Sequence, residues 1–238
     1  MGYVDIHTHI LPYLDDGSEN METTLEMLRI AQREGITHMI ATPHYRAGYY
    51  RADSERLYES LFQVQQLAEA NGILIELYAG NEIYYRKELD DKLYEGNLCT
   101  LNGTEYVLVE FPTAENFVYI RNAMDELFCM GYTPIIAHVE RYQCLTKNVD
   151  NVRELKDMGC GIQVNAASVT GENGFKSKRF VHKLLKKQLV DYIGTDAHNT
   201  SGRKPAMKKC AKLLYKKYNH DYTDAVLFEN AWKNLLAR

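Results

Sequence analysis

The stretch Asp5-Ile6-His7-Thr8-His9, at the end of the first apolar run, decides how the fold and the site are interpreted. The run Tyr3–His7 has the length and the apolar content of a buried strand. Polar side chains at such a point are typical of α/β barrels, where functional residues lie at the carboxyl ends of parallel strands. Alternate residues of a strand share a face, so we expect His7 and His9 to point at one common site.

Further short apolar runs follow along the chain, and most are separated by stretches with helical periodicity. The predicted strands are Tyr3–His7, Thr37–Thr42, Ile73–Ala79, Tyr106–Phe111, Thr133–Ala137, Gly161–Val164 and Val190–Gly194. The predicted helices cover residues 20–34, 54–70, 115–130, 150–158, 175–187, 204–217 and 223–236. This alternation predicts parallel βαβ units and, over 238 residues, a closed or nearly closed α/β barrel that forms a single domain, residues 1–238.

Nearly all of the predicted strands bring a His, Asp or Glu to the same rim. The side chains at or just beyond the strand ends are Asp5, His7, His9, Asp15, Asp16, His44, Glu82, Glu110, His138, Glu140, Asp196 and His198, whereas the sixth strand gives only Gln163 and Asn165. Such residue types bind divalent metal ions. A lone strand-end histidine is more often a hydrogen-bonded core residue, but five of the eight histidines lie at these ends. The pattern favours a metal site, and His38, His182 and His220 are expected to be structural or at the surface.

Six blocks of sequence, in order, resemble the PHP superfamily of metal-dependent phosphoesterases. They are similar in particular to its protein-tyrosine phosphatases from bacterial capsule and exopolysaccharide operons. The blocks are Asp5–Leu11 with Asp15–Ser18, Ala41–His44, Gly80–Tyr85, Leu108–Pro112, Ile136–Tyr142, and Thr195–Asn199 followed by Arg203. The resemblance spans residues 3 to about 205 and has no departure at a ligand position.

This resemblance implies a distorted (β/α)7, TIM-like barrel of the PHP type that holds three divalent ions, usually manganese, with iron or zinc as alternatives. By matched position the ligands are His7, His9, Asp16, His44, Glu82, Glu110, His138, Asp196 and His198. Arg141 and Arg203 match the arginines that bind phosphate in the family. The implied activity is hydrolysis of phosphotyrosine, with a membrane-associated bacterial tyrosine kinase that controls polysaccharide synthesis as the expected partner.

Two other functions stay open at this point. One is a small-molecule phosphatase of the same superfamily, similar to those acting on histidinol phosphate, and the other is a barrel without metals that serves as a binding module. The Asp-Asp-Gly segment at 15–17 and the Val-Glu-Arg-Tyr segment at 139–142 favour the tyrosine phosphatases. The full set of metal-ligand residue types argues against the binding module.

Composition excludes several other classes of protein. The net charge of −4 divides unevenly, with 8 Lys+Arg against 20 Asp+Glu in residues 1–119 and 20 against 12 in residues 120–238. No nucleic-acid motif accompanies the basic half, whose helices are interpreted as solvated faces, with a basic patch that could steer an anionic partner as the alternative. No apolar stretch is long enough to insert into a membrane, no signal peptide is recognisable, and five scattered cysteines suit a reducing cytoplasm.

The segment 45–51, directly after His44, is the candidate for substrate recognition. Its aromatic and basic side chains are Tyr45, Arg46, Tyr49, Tyr50 and Arg51. Aromatic rings can stack on the phenyl group of a phosphotyrosine, and arginines can meet acidic residues beside it. The alternative is an ordinary exposed loop whose tyrosines pack on neighbouring helices.

Overall fold

The computed structural model describes residues 2–46, 49–86 and 97–237, without the side chain of Arg51. Its strands are β1 (Tyr3–Thr8), β2 (Ile36–Ala41), β3 (His44–Arg46), β4 (Tyr50–Arg51), β5 (Glu76–Ala79), β6 (Glu82–Tyr84), β7 (Tyr106–Glu110), β8 (Thr133–Ile136), β9 (Gly161–Asn165) and β10 (Tyr192–Gly194). Its α-helices are α1 (Met21–Arg33), α2 (Ser54–Ala70), α3 (Phe117–Cys129), α4 (Gln143–Lys147), α5 (Val149–Asp157), α6 (Ala166–Thr170), α7 (Phe175–Lys186), α8 (Lys208–Lys217) and α9 (His220–Asp224).

All of these strands except β4, which pairs antiparallel with β3, form a closed parallel barrel. Neighbours pair in the order β1, β2, β5 in the lower part and β3, β6, β7, β8, β9, β10 in the upper part. β3 continues β2, and β6 continues β5, each after an interruption of two residues. Each of these pairs therefore acts as one interrupted strand of the barrel, and we call every such strand, interrupted or not, a strand path. The last path returns to the first, since Asp196 N–H donates to His7 O and His9 N–H donates to Ala197 O, both at 2.8 Å. The predicted seven-stranded barrel is therefore confirmed.

Local sequence explains the helix boundaries around the barrel. In α1, Asn20 caps the first turn by accepting a hydrogen bond from Thr23 N–H at 2.9 Å, and Met27, Leu28 and Ala31 bury the inner face. The helix predicted over 204–217 begins only at Lys208, because the backbone N–H groups of its first turn are capped by the side chain of Glu34 on another helix end. Glu34 could be placed there only by the tertiary fold.

Several predicted elements are corrected by the structure. The third strand begins at Glu76 rather than Ile73, and the short segments β3, β4 and β6 lie outside the predicted strands. The helix predicted over 223–236 is helical throughout, but it begins at His220, and its segments Ala225–Glu229 and Trp232–Leu236 have π-helical hydrogen bonds. None of the helices that the structure describes has the length and apolar run needed to cross a membrane.

The core divides into an outer and an inner layer, and this division positions the site. Val107 and Val109 of β7 belong to the larger cluster between barrel and helices, whereas Leu108 belongs to a smaller cluster with Ile40 and Ile135. Alternate residues of a strand point to opposite faces, so Leu108 lies inside the barrel and Glu110 follows it on the same face. The strands therefore carry apolar side chains at mid-barrel and ionisable side chains at the carboxyl rim.

Candidate metal centre

Two of the predicted ligands occupy unusual backbone conformations at the barrel rim. His138 has φ 34° and Asp196 has φ 54°, both in the left-handed region that non-glycine residues rarely adopt. Each is separated by one residue from the end of a strand, where the chain turns away from the barrel. Such conformations cost about 1–3 kcal/mol and occur mainly where function requires a side chain to be aimed. Here the turns aim both side chains into the barrel mouth.

The structure brings all nine predicted ligands into one contact network. Each has a ring nitrogen or carboxylate oxygen within 3.8 Å of a partner in the set. The centre of the network is Glu82, which is fully buried. One of its oxygens lies 3.1 Å from His7 Nε2, 3.2 Å from His9 Nε2 and 3.0 Å from His44 Nδ1. The other lies 2.8 Å from His138 Nε2, so one carboxylate touches four of the histidines.

Three overlapping groups of these side chains have ligand atoms close enough to hold metal ions. They are His9, Asp16, His44 and His198; His7, His9 and Glu82; and His44, Glu82 and Glu110. Within each group the ligand atoms lie within 4.8 Å of one another. His138 and Asp196 fall outside these groups but contact their members. Imidazole and carboxylate together suit zinc, manganese and iron, so the residues present fit divalent cations.

Hydrogen bonds from outside the cluster orient three of the histidines. His9 Nδ1 donates to Asp15 at 2.6 Å, His7 Nδ1 donates to Gln163 at 3.3 Å, and His198 Nδ1 donates to a backbone carbonyl at 3.0 Å. In each case the outer ring nitrogen is occupied and Nε2 faces the cluster. Metal-binding histidines have this arrangement, because the outer hydrogen bond fixes both the ring and its tautomer.

Two buried atoms at the centre have no hydrogen-bond partner among the described residues. They are Nδ1 of His44 and an oxygen of Glu82, which face each other at 3.0 Å. Burial raises the pKa of Glu82, but the surrounding His7, His44 and His138 hold that pKa well below its usual range. Burial opposes protonation of His44, but Glu82 and Glu110 raise its pKa to about 12. A divalent cation would satisfy both atoms, and it would compete there with protons.

Arg141 and Arg203 converge on one edge of the cluster. Arg203 donates to Asp196 Oδ1 at 2.6 Å and Arg141 donates to Oδ2 of the same carboxylate, where Asn165 also donates at 2.8 Å. Both arginine side chains are partly exposed, at 41% and 37%. They line a recess of about 70 Å³ with Thr195. Two partly exposed guanidinium groups that line one recess can bind the oxygens of a phosphate group, each through two parallel hydrogen bonds.

The segment after His44 differs from the loop predicted for substrate recognition. It forms a β3–β4 hairpin in which Tyr45 is buried in the core, so the prediction that Tyr45 contacts a substrate ring does not fit its position. The Arg46 guanidinium lies 4.4 Å from the ring centroids of both Tyr49 and Tyr84, an interaction that fixes the hairpin. Tyr50 stacks on His44 at 5.8 Å, and Tyr49 alone of these rings is largely exposed. The predicted role of Arg51 concerns a side chain outside the described residues.

Sequence reasoning gave no role to several residues that position the ligands. Asp15 orients His9 and also accepts a hydrogen bond from the backbone N–H of His44 at 2.8 Å. Gln163 accepts from the backbone N–H of His138 at 2.6 Å as well as from His7. Asp15 lies next to the predicted ligand Asp16, and Gln163 lies near the end of a predicted strand. These positions are the sequence signal by which the two residues could have been identified. Their separate roles depend on side-chain directions that spacing alone does not give.

Comparison with known proteins agrees with this arrangement. Residues 3–236 match the family described as capsular polysaccharide synthesis, CpsB/CapC. The tyrosine-protein phosphatase CpsB of Streptococcus pneumoniae is 32% identical over 98% of this chain and 98% of its own. The tyrosine-protein phosphatase YwqE of Bacillus subtilis (strain 168) is 32% identical, covering 96% of this chain and 89% of its own.

Solved structures give the same relationship. Crystal structures of YwqE from Bacillus subtilis and CpsB from Streptococcus pneumoniae are described as those of metal-dependent tyrosine phosphatases. A chain from these structures matches with a TM-score of 0.91 at 30% identity, over 98% of this chain and 94% of its own. A histidinol phosphate phosphatase from Lactococcus lactis has a TM-score of 0.58 at 16% identity over 91% of this chain and 94% of its own, a likeness of fold alone. The family match covers nearly the whole chain. The chain therefore belongs to the CpsB/CapC family of capsular polysaccharide synthesis.

Proposed function

We propose that the protein is a metal-dependent protein-tyrosine phosphatase, a phosphoric monoester hydrolase whose catalytic domain is the whole chain, residues 1–238. This proposal rests on two groups of side chains that meet at one rim of the barrel. A cluster of five histidines and four carboxylates meets two arginines at Asp196. Membership of the CpsB/CapC family, with relatives that are tyrosine-protein phosphatases, supports the same activity.

The nine clustered side chains would hold the ions, and the three overlapping groups of donors support three of them. The resemblance to the PHP superfamily favours manganese, with iron or zinc as alternatives, because imidazole and carboxylate ligands accept all three. Such ions supply an activated water and charge stabilisation to phosphoester hydrolysis. With three divalent ions and four carboxylates, the formal charge of the site would be about +2 before the arginines are counted, which suits a phosphate dianion.

Arg141 and Arg203 would bind the phosphate. Each guanidinium can donate two parallel hydrogen bonds to phosphate oxygens, which orients the group and stabilises the negative charge that develops on it. In this structure they bind Asp196 instead, so an arriving phosphate would compete for them with that carboxylate. The tyrosine leaving group has a pKa of about 10 and departs more readily than an alkoxide, so a dedicated general acid is less necessary.

The substrate we expect is the phosphorylated tyrosine-rich tail of a membrane-associated bacterial tyrosine kinase in capsule or exopolysaccharide synthesis. The family and its relatives support this choice, and the protein would act in the cytoplasm, where such tails lie. The second candidate, a small-molecule phosphatase, has support only from a likeness of fold at 16% identity. The basic helices carry no nucleic-acid motif, and we propose no nucleic-acid partner.

A comparison of two substrates tests this proposal. With manganese added, the protein should hydrolyse a phosphotyrosine peptide with a kcat/KM at least about tenfold above that for histidinol phosphate, because the aryl leaving group departs more readily. Phosphate release from both substrates is measured under the same conditions. A higher kcat/KM for histidinol phosphate would assign the site to small molecules, and no turnover of either would favour the binding module.

A further inference from the structure

A wide cleft borders the metal cluster at Asp16 and His198. Its volume is about 1020 Å³, and neither Arg141 nor Arg203 lines it, because both belong to the separate recess at Asp196. Its walls carry Tyr13, Glu19, Tyr49, Tyr50, Arg56 and Asn199, and we call it the tyrosine cleft. The cluster thus has a narrow recess suited to phosphate on one side and a much larger cleft on the other.

Tyr13 lines this cleft with an exposed ring and a strained backbone conformation. Its side chain is 67% exposed, so its ring gains little from burial. Its backbone has φ 65°, a conformation that disfavours any residue with a Cβ atom, and its N–H donates to the Ser18 carbonyl at 3.3 Å. Glycine would occupy this position without strain. An exposed aromatic ring held in a strained conformation beside a cleft indicates a role in binding rather than in folding.

Tyr49 is the second exposed aromatic residue of the tyrosine cleft. Its ring is 70% exposed, although the Arg46 guanidinium covers part of it at 4.4 Å from the ring centroid. Arg46 is itself fixed by the ring of Tyr84. The ring of Tyr49 is therefore held in place while most of its surface faces solvent, which is a suitable arrangement for stacking on another ring.

The volume of the cleft indicates which class of ligand it can bind. Sites for small molecules usually enclose about 300–1,000 Å³, and this cleft reaches the top of that range with the phosphate site lying outside it. A free phosphomonoester of a small metabolite would leave most of it empty. A peptide continuing on from the phosphotyrosine would fill it, and two exposed tyrosine rings are matched to aromatic side chains in that peptide.

We propose that the tyrosine cleft binds the residues flanking the phosphotyrosine of a peptide substrate, and that Tyr13 and Tyr49 select flanks carrying aromatic side chains. This inference rests on the proposed phosphotyrosine phosphatase function. It adds to it the surface and the two side chains that would recognise the residues beside the phosphotyrosine. Tyr50, although it also lines the cleft, stacks on the candidate ligand His44 and is left unchanged in the test.

The test compares two phosphotyrosine peptides that differ only in their flanks, tyrosine in one and alanine in the other. With manganese present, the unaltered protein should show a higher kcat/KM for the tyrosine-flanked peptide. Tyr13→Gly and Tyr49→Ala should each reduce the ratio of the two kcat/KM values by about two- to tenfold, the effect of one lost ring contact. Tyr13→Gly should not disturb folding, because its φ suits glycine, and thermal unfolding checks this.

The matched control is Tyr58→Ala, which removes a tyrosine of α2 that is 52% exposed and does not line the cleft, and which should leave the ratio unchanged. A ratio near one in the unaltered protein, or a ratio that neither cleft variant changes, would overturn the inference while phosphotyrosine hydrolysis stands. If the unaltered protein hydrolyses neither peptide, the proposed function fails and this inference fails with it. The two failures are therefore distinguished in the same experiment.

Discussion

Replacing Glu82 by glutamine is expected to remove bound metal and to lower phosphotyrosine turnover by at least about a hundredfold. Glu82 is fully buried, and its two oxygens contact four histidines within 3.2 Å. Glutamine keeps the shape but removes the charge and one acceptor oxygen. Because loss of a residue that only supports a metal ligand typically costs 10–100-fold, loss of a shared central ligand should cost at least the upper end of that range.

Metal content and kcat/KM of the Glu82→Gln protein are measured together, with circular dichroism as a check on folding. Glu105→Gln is the matched control, since Glu105 is exposed before β7 and lies outside the cluster. His138→Ala and Asp196→Ala should give losses in the same direction. A Glu82→Gln protein that keeps both its metal and its turnover would show that Glu82 is not a ligand.

Replacing Arg141 by lysine is expected to lower kcat/KM by about ten- to a thousandfold while leaving the metal content unchanged. Lysine keeps the positive charge but loses the planar pair of donors that matches a phosphate group. The expected range is that of a lost charged contact made in the transition state. Arg141 lies on the edge of the cluster and contacts only the carboxylate of Asp196 among the predicted ligands, so its loss should not release the ions.

Steady-state kinetics and metal analysis of Arg141→Lys separate the two roles, and Arg203→Lys should behave in the same way. Arg121→Lys is the control, because Arg121 forms ion pairs with Asp125 and Glu154 on the exposed surface of α3 and α5, where such pairs contribute little. Unchanged kinetics in both site variants would place these arginines outside the phosphate site. Loss of metal in Arg141→Lys would instead assign it a structural role at the cluster.

The sequence pattern was sufficient for the barrel and for bringing twelve candidate side chains to one rim, whereas the choice of nine ligands among them came from the resemblance to the PHP superfamily. Each strand is a short apolar run, and every strand end except that of β9 carries an ionisable residue, so parallel strands alone bring those residues to one rim. The continuation of β2 into β3 was missed, since Pro43 stops a strand by local rules while the barrel continues beyond it. The closing contact between His7 and Asp196 joins the first and last strand paths of the barrel and has no local signal.

Neighbouring residues with different roles mark the limit of sequence reasoning at the site. Asp15 and Asp16 are chemically identical, yet Asp15 bonds to the outer nitrogen of His9 whereas Asp16 faces His44 and His198 at 3.6 and 3.7 Å. Tyr45 and Tyr49 differ in the same way, one buried in the core and the other exposed at the cleft. The direction of the backbone determines which way each of these side chains points, and the sequence alone does not give that direction.

The requirement for metal rather than a thiol is the central claim, and a titration of metal against turnover tests it most directly. The protein is stripped with a strong chelator, divalent manganese is returned in steps, and bound metal and phosphotyrosine hydrolysis are measured on the same samples. A parallel sample is treated with a thiol-alkylating reagent, which can reach the exposed Cys129. We predict no turnover after stripping, recovery in proportion to bound metal, and no loss on alkylation. Turnover that survives complete removal of metal, or that alkylation abolishes while the metal stays bound, would contradict the account.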